Sequence, residues 1–358
     1  MASVQQRAQY SGDIASALLA YYGRNARDLP WRSPPGTPPP DPYQVWLSEV
    51  MLQQTTVAAV IGYFENFTRR WPDFASLAAA EDADVMAAWA GLGYYSRVRN
   101  LLKCARAVVS DHGGALPRTA AGLAKLPGIG PYTAAAIAAI AFNERAAVVD
   151  ANVERVVARL FAIETPLPAA KVEIRAATDA ITPARRPGDF AQAMMDLGAS
   201  LCSVRNPQCL ICPLQADCAA QKAGMAETLP RKAAKKAKPD RAGTAWWIER
   251  DDHVWLVRRP DRGMLGGMRG LPDDRWNARA DGDSQPPFAA DWKAVAGEVV
   301  HVFTHFRLTL RLAATAAPID ENSLPPGEWW PLKSLDSAGL PTLFSKAAKL
   351  AVRASRKV

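Results

Sequence analysis

Four of the five cysteines in this 358-residue chain, Cys202, Cys209, Cys212 and Cys218, lie within seventeen residues; the fifth is Cys104. The spacing C-x6-C-x2-C-x5-C asks for a metal centre. Structural zinc sites usually pair two C-x2-4-C half-sites at a distance, whereas here one C-x2-C is flanked by longer arms in a single loop. Four thiolates from such a loop reach the irons of a [4Fe-4S] cluster, and Pro207 and Pro213 stiffen the connections. An iron–sulfur cluster is the expected cofactor, with zinc as the alternative. A disulfide framework fits poorly, because the chain is long and Met1-Ala2-Ser3-Val4-Gln5-Gln6-Arg7 lacks the apolar core of a signal peptide. The expected location is a reducing cytoplasm, at the nucleoid. Cys104 reads as a small buried hydrophobe.

Away from this loop the chain changes character near residue 240. Before it, apolar residues recur at helical spacing in 43–59, 82–90, 98–109, 131–142, 152–162 and 170–181, with no period-2 strand. After it, Ala245-Trp246-Trp247-Ile248, Val254-Trp255-Leu256-Val257 and Arg307-Leu308-Thr309-Leu310-Arg311-Leu312 read as strands, and 342–354 as a helix. Residues 226–241 hold six basic and two acidic residues, half of the net charge of +8. Between Pro230 and Pro239 this run reads as a solvated linker that can also lie along DNA phosphates. The length admits two domains, 1–225 and 242–358. The pI near 9.3 suits a nucleic-acid partner, and no apolar run approaches a membrane span.

Three further segments carry chemistry. Leu126-Pro127-Gly128-Ile129-Gly130, followed by Pro131-Tyr132-Thr133 and an alanine-rich run, reads as helix, hairpin, helix. Gly128 and Gly130 are expected at positive φ, turning backbone N–H groups towards a phosphate or a phosphate-bound cation. Val148-Val149-Asp150-Ala151-Asn152-Val153 places Asp150 as the N-cap of a helix, where backbone donors and the dipole lower a carboxylate's pKa. Trp46-Leu47-Ser48-Glu49-Val50-Met51-Leu52-Gln53-Gln54-Thr55 sets Glu49 among apolar neighbours that raise its pKa. Taken singly, the hairpin is a plain turn, Asp150 only a cap and Glu49 an ordinary helix carboxylate; their combination with the cysteine loop argues otherwise.

Together with Leu29-Pro30-Trp31-Arg32, Gly91-Leu92-Gly93-Tyr94-Tyr95-Ser96-Arg97 and Met194-Met195-Asp196-Leu197-Gly198-Ala199, these segments resemble the endonuclease III superfamily, and within it the adenine DNA glycosylase family. The resemblance is dense to about residue 222 and sparser beyond. It implies a mostly α catalytic region, a helix-hairpin-helix glycosylase with a [4Fe-4S] cluster loop, plus a small α+β Nudix-like C-terminal domain. Gly263-Met264-Leu265-Gly266-Gly267-Met268 matches part of the Nudix-like pattern, with Arg269 where the family often has an aromatic or apolar residue. The acidic box that holds Mg²⁺ is missing, so this domain is expected to read DNA rather than hydrolyse pyrophosphates.

The resemblance also assigns roles. Glu49 takes the place of the catalytic acid and Asp150 that of the carboxylate facing the sugar cation, two carboxylates in opposite protonation states. Tyr132 belongs near the sugar or Asp150, and Asn152 near the water or base. Arg32 and Asp196 are pocket candidates, Asp196 being a methylene shorter than the glutamate of some relatives. Gln54 and Tyr94 resemble wedge residues that enter the stack as the base leaves it, against a core-aromatic reading of Tyr94. Phe303-Thr304-His305 resembles a Phe-Ser-His loop that reads 8-oxoguanine.

The expected function is a monofunctional glycosylase, a monomer acting on double-stranded DNA containing A:8-oxoguanine or A:G mispairs. Endonuclease III carries a Schiff-base lysine where this chain has Tyr132, which disfavours the alternative of a bifunctional glycosylase/AP lyase. A non-catalytic iron–sulfur DNA-binding protein would have no reason to carry Glu49 and Asp150 together.

Overall fold

The computed structural model describes residues 11–234, 237–260, 264–315 and 320–355. Lys235 and Lys236 of the basic run, Gly263 of the glycine motif and the N-terminal segment 1–10 lie outside the described residues. The chain divides into two compact units, Met1–Ala234 and Lys235–Val358.

Helices α1 (Ser11–Asn25), α2 (Pro42–Leu52), α3 (Val57–Arg70), α4 (Ser96–His112), α5 (Pro131–Phe142), α6 (Ala151–Leu160) and α7 (Pro187–Ala199) build the first unit, with shorter helices and Lys171–Ile181 between them. Asp41 starts α2 by accepting from the N–H groups of Tyr43 (2.8 Å) and Gln44 (3.1 Å), and Pro42 supplies a residue that needs no donor in the first turn. The expected single run 43–59 is two helices. Gln54 takes φ 59° and Thr56 caps α3, so the chain turns between them. Helix α5 is buried from Thr133 to Ala141, and α2 and α7 both pack against it. Alanines along α5 let neighbouring backbones approach closely.

In α7 every residue except Asp189 and Ala199 is buried. It therefore has no polar face, and the helical spacing that marks amphipathic helices does not reveal it. Gly198 is required by its neighbour: a Cβ there would lie 2.6 Å from the Asn152 Cβ and 3.1 Å from the Asn152 backbone. The end of α7 thus rests directly on the start of α6.

In the second unit, strands β1 (Asp240–Arg250), β2 (His253–Arg258), β3 (Arg269–Gly270), β4 (Lys293–Val302), β5 (Arg307–Thr315) and β6 (Gly327–Pro331) form a mixed sheet ordered β3-β2-β1-β5-β4, with β6 also paired to β2. The β1–β5 ladder is parallel from Asp240↔Arg307 to Ile248↔Thr315, and the other pairs are antiparallel. Leu308, Leu310 and Leu312 alternate into a core completed by Trp247, Leu256 and Phe344, the last from α8 (Thr342–Ser355). Strand β4 has no apolar alternation and an irregularity between Ala294 and Glu298, with Gly297 at φ 97°, which hides it from sequence patterning. Arg269 departs from the Nudix pattern for a visible reason: its guanidinium lies 4.5 Å over Trp330 and pairs with Glu328 at 2.7 Å.

The basic run is less of a linker than its composition suggests. Arg159 Nε donates to Leu229 O (3.0 Å), Leu167 N to Arg231 O (2.8 Å) and Ala233 N to Leu167 O (3.0 Å), while Arg231 pairs with Glu164 at 2.5 Å. Residues 226–234 are therefore docked on the first unit, and Asp240 and Arg241 already belong to β1. Unsatisfied backbone and charge found partners there, which composition cannot foresee. Gly198→Ala should lower stability by roughly 1–3 kcal/mol through overpacking. Urea denaturation at an unchanged m value checks this; a wild-type midpoint would show that α7 and α6 separate at little cost.

Candidate active site

Residues from four separated segments line one cavity of about 560 Å³: Glu49 from α2, Tyr132 from α5, Asp150 and Asn152 at the start of α6, and Arg32 with Gln54 from loops. Glu49 is only 7% exposed. Burial pushes its carboxyl up to about 7, helped by the negative Asp150 and opposed by a hydrogen bond from Tyr132 and the charge of Arg32. The Tyr132 hydroxyl is itself held well above its usual range by burial and the two carboxylates, so it remains a donor.

Asp150 caps α6 as expected, accepting from Val153 N at 2.7 Å. The expected fall in its pKa does not follow. Burial in the cavity raises it and outweighs the donors Val153 and Asn152 and the charge of Arg155. Asn152 also orients Asp150: its Nδ2 donates to Asp150 Oδ2 (3.0 Å) while its Oδ1 accepts from Arg155 Nη2 (3.0 Å).

Asp196 does not line the cavity. It accepts two bonds from Arg32 (2.7 and 3.0 Å) and one from Arg27 Nε (2.6 Å). Burial alone would raise its carboxyl, but the two guanidiniums hold it below the usual carboxylate range. The short aspartate thus fixes two cavity arginines. Among the lining residues that escaped the sequence reading are Arg27 and Gln192. Gln192 stands four residues before Asp196 on α7, hence on the same helix face, and that spacing was the available signal. Its own bond to Gly188 O is long, 3.4 Å.

Tyr94 is 57% exposed, which rules out the core-aromatic reading. Tyr94 and Gln54 both have positive φ, 49° and 59°, and share a smaller cavity of about 190 Å³ with Pro127 and Gly128. Gly128 has the expected positive φ (75°), and a Cβ there would meet the Asn100 Cβ at 2.6 Å. Gly130 does not: with φ −85° and ψ 173° it is the extended N-cap of α5, the conformation favoured before Pro131. Leu126 is buried beneath the hairpin. In the second unit, Phe303 N donates to Phe306 O (2.8 Å), closing a turn with Thr304 and His305 exposed. The Phe303 ring stacks on Phe306 at 4.6 Å, and Lys238 Nζ donates to Phe303 O at 2.6 Å.

Cys202, Cys209, Cys212 and Cys218 line one small cavity of about 30 Å³. Among the described residues no group of three or more His, Cys, Asp or Glu is placed to hold a metal ion. Arg159, 2% exposed, donates to Cys202 Sγ (3.3 Å) and Ser203 O (2.6 Å), and Arg155 Nε donates to Cys202 O (2.8 Å). Four cysteines on one loop with the buried guanidiniums of Arg155 and Arg159 behind them are a donor set that suits a cluster. Cys104 lies apart, fully buried, with its thiol pushed up to about 12 by burial.

Residues 47–180 match the HhH-GPD superfamily base excision DNA repair protein, and residues 244–350 match a NUDIX domain. The fold is that of a helix-hairpin-helix base-excision repair protein with a Nudix-like second unit. A thermostable thymine-DNA glycosylase structure is similar to it with a TM-score of 0.54 and 29% identity, over 60% of this chain and 98% of that one. A non-covalent endonuclease III–DNA complex shares the fold, with a TM-score of 0.51 and 24% identity over 63% and 99%. The adenine DNA glycosylase of Homo sapiens is 34% identical over 93% of this chain and 73% of its own length. The chain belongs to the adenine DNA glycosylase family.

Tyr132→Phe removes the bond that lowers the Glu49 pKa, so Glu49 should titrate above about 7 in that variant. Carbon NMR of the glutamate side chains, with Glu49→Gln for assignment, measures it. An unchanged or lower value would mean that Tyr132 does not bond to Glu49.

Proposed function

We propose that this chain is a monofunctional adenine DNA glycosylase of base excision repair, which flips adenine mispaired with 8-oxoguanine or guanine out of duplex DNA and hydrolyses its N-glycosidic bond. The observation that carries this is the meeting of Glu49, Asp150 and Tyr132 in one cavity. No lysine is among the residues described as lining that cavity, consistent with hydrolysis without lyase chemistry.

Adenine leaves poorly because its departure creates an electron-rich purine and an oxocarbenium-like sugar. Protonated Glu49 supplies its proton to N7 of adenine while the C1′–N9 bond breaks and its electron pair goes to the base. Asp150, which in its ionised form accepts from Val153 N–H and Asn152, faces the sugar cation. Water adds to C1′ and its proton returns to Glu49, leaving an abasic site and neutral adenine. Arg32, Arg27 and Gln192 line the space for the base. Gln54 and Tyr94 act as the wedge, and the hairpin with Leu126, Gly128 and Gly130 engages backbone phosphate.

Cys202, Cys209, Cys212 and Cys218 would hold a [4Fe-4S] cluster, which supplies cross-linking of the loop rather than redox chemistry at the base. The second unit contributes binding through Phe303, Thr304 and His305, with the threonine methyl crowding its hydroxyl. We read the enzyme as a monomer at work on nucleoid DNA. No helix among the described residues is long and apolar enough to cross a membrane.

Two experiments test this reading. Glu49→Gln and Asp150→Asn should keep duplex affinity and lose excision by about 10²–10⁴-fold or more. Because Glu49 must carry its proton, wild-type single-turnover excision should fall as pH rises through about 7. Near wild-type excision by either variant would remove that residue from the chemistry. In the second, Thr304→Ala with His305→Ala should lower the A:8-oxoguanine over A:G rate ratio by roughly 5- to 150-fold at one fixed salt concentration, the worth of one or two lost hydrogen bonds. An unchanged ratio would place lesion reading in the first unit.

A further inference from the structure

Arg97 opens α4 and is 7% exposed, yet it lines no part of the cavity of Glu49 and Asp150. Its guanidinium spans two turns that are distant in sequence. Nη1 donates to Met51 O (2.6 Å) and Val50 O (3.2 Å), at the end of α2. Nη2 donates to Thr55 Oγ1 (3.0 Å), just past that helix end, and to Leu92 O (3.1 Å) and Gly93 O (3.4 Å) in the other turn. Its Cζ also lies 5.4 Å from the Tyr94 ring centroid and 5.2 Å from that of Trp89.

Each turn carries one non-glycine residue in the left-handed region, Gln54 at φ 59° and Tyr94 at φ 49°. Such conformations cost energy and persist only where the surroundings over-determine them. The backbone carbonyls of Val50, Met51, Leu92 and Gly93 flank those two residues, and all four are tied to one planar fork. Arginine offers five donors in fixed directions; lysine offers three from a single point and cannot bridge both turns in this way. Tyr94 remains 57% exposed, so the fork fixes the base of the ring and leaves the ring itself presented.

We propose that Arg97 is the positioning residue of the wedge, locking Gln54 and Tyr94 in one relative placement so that they enter the base stack together. This rests on the reading of those two residues as the wedge. Arg97 touches neither the reacting atoms nor the base; it acts through the two turns.

The test compares the full-length protein on adenine paired with 8-oxoguanine and on the same adenine unpaired in a single-nucleotide bulge, where little unstacking is needed. Arg97→Met should slow single-turnover excision of the paired adenine about 10- to 100-fold, by forfeiting much of what the wedge sets against the flipping cost. The bulged adenine should be slowed less than about 3-fold, because its flipping cost is already small. Arg97→Lys, which keeps the buried charge but reaches only one turn, should show the same selectivity in milder form. In combination with Tyr94→Ala, Arg97→Met should add less than about 2-fold to the slower single variant, as for residues acting as a unit.

Equal slowing on both substrates by Arg97→Met and Arg97→Lys alike, or additive slowing in the double variant, would overturn the proposal and leave Arg97 a residue of the fold. Slowing of the paired substrate by Tyr94→Ala and Gln54→Ala with none from either Arg97 variant would also overturn it, while keeping the wedge. If Tyr94→Ala and Gln54→Ala themselves leave the paired substrate unaffected, the wedge reading fails and the positioning role goes with it.

Discussion

Helix α5 can be approached closely from several sides because it presents alanines, and the site depends on that packing. Helix α2 lies against it and delivers Glu49; α7 lies against it and meets the start of α6 at Gly198, where no side chain intervenes. The hairpin before α5 sets Tyr132 at the helix entrance. Four remote stretches of chain, with the loop of Arg32, therefore share one cavity. The shared burial acts on both carboxylates in the same direction, raising Glu49 and Asp150 alike. What separates them is local. Asp150 has a backbone N–H and a side-chain amide directed at its two oxygens, donors that favour the charged form; Glu49 has one tyrosine hydroxyl in an apolar setting.

Burying cations is the other half of the design. Arg32 and Arg27 converge on Asp196, and Arg155 and Arg159 converge on carbonyls and a sulfur of the cysteine loop. Removing one partner from such a group leaves an uncompensated charge inside the protein. These arginines thus tie loops to helices where apolar packing alone would leave the register loose. A hydrogen-bonded run, Asp150 to Asn152 to Arg155 to the Cys202 carbonyl, joins the N-terminal end of α6 to the first cysteine.

Helix existence was legible where one face is polar: the run 170–181 coincides closely with Lys171–Ile181, and 342–354 with α8. Pro131–Phe142 has no polar face and was legible instead from its alanine-rich run after the hairpin. Legibility failed where a helix or strand lacks a contrasting face. Helix α7 is buried almost throughout, and β4 alternates poorly and bends at Gly297. The break at Gln54 and Thr56 was hidden because apolar spacing continues across it, although the backbone does not.

From the amino-acid order alone came the cysteine loop, the hairpin, the cap at Asp150 and the pairing of Glu49 with Asp150 as members of one pattern. Each of these is local or carried by motif, so spacing is enough to show it. Tertiary structure alone decided which way burial shifts Asp150, that Asn152 serves Asp150, that Asp196 serves Arg32 and Arg27, and that Arg97 joins two turns. These outcomes depend on which donor from a distant segment arrives within hydrogen-bonding distance, and on how much water the assembled cavity excludes. Neither quantity exists until the helices have packed.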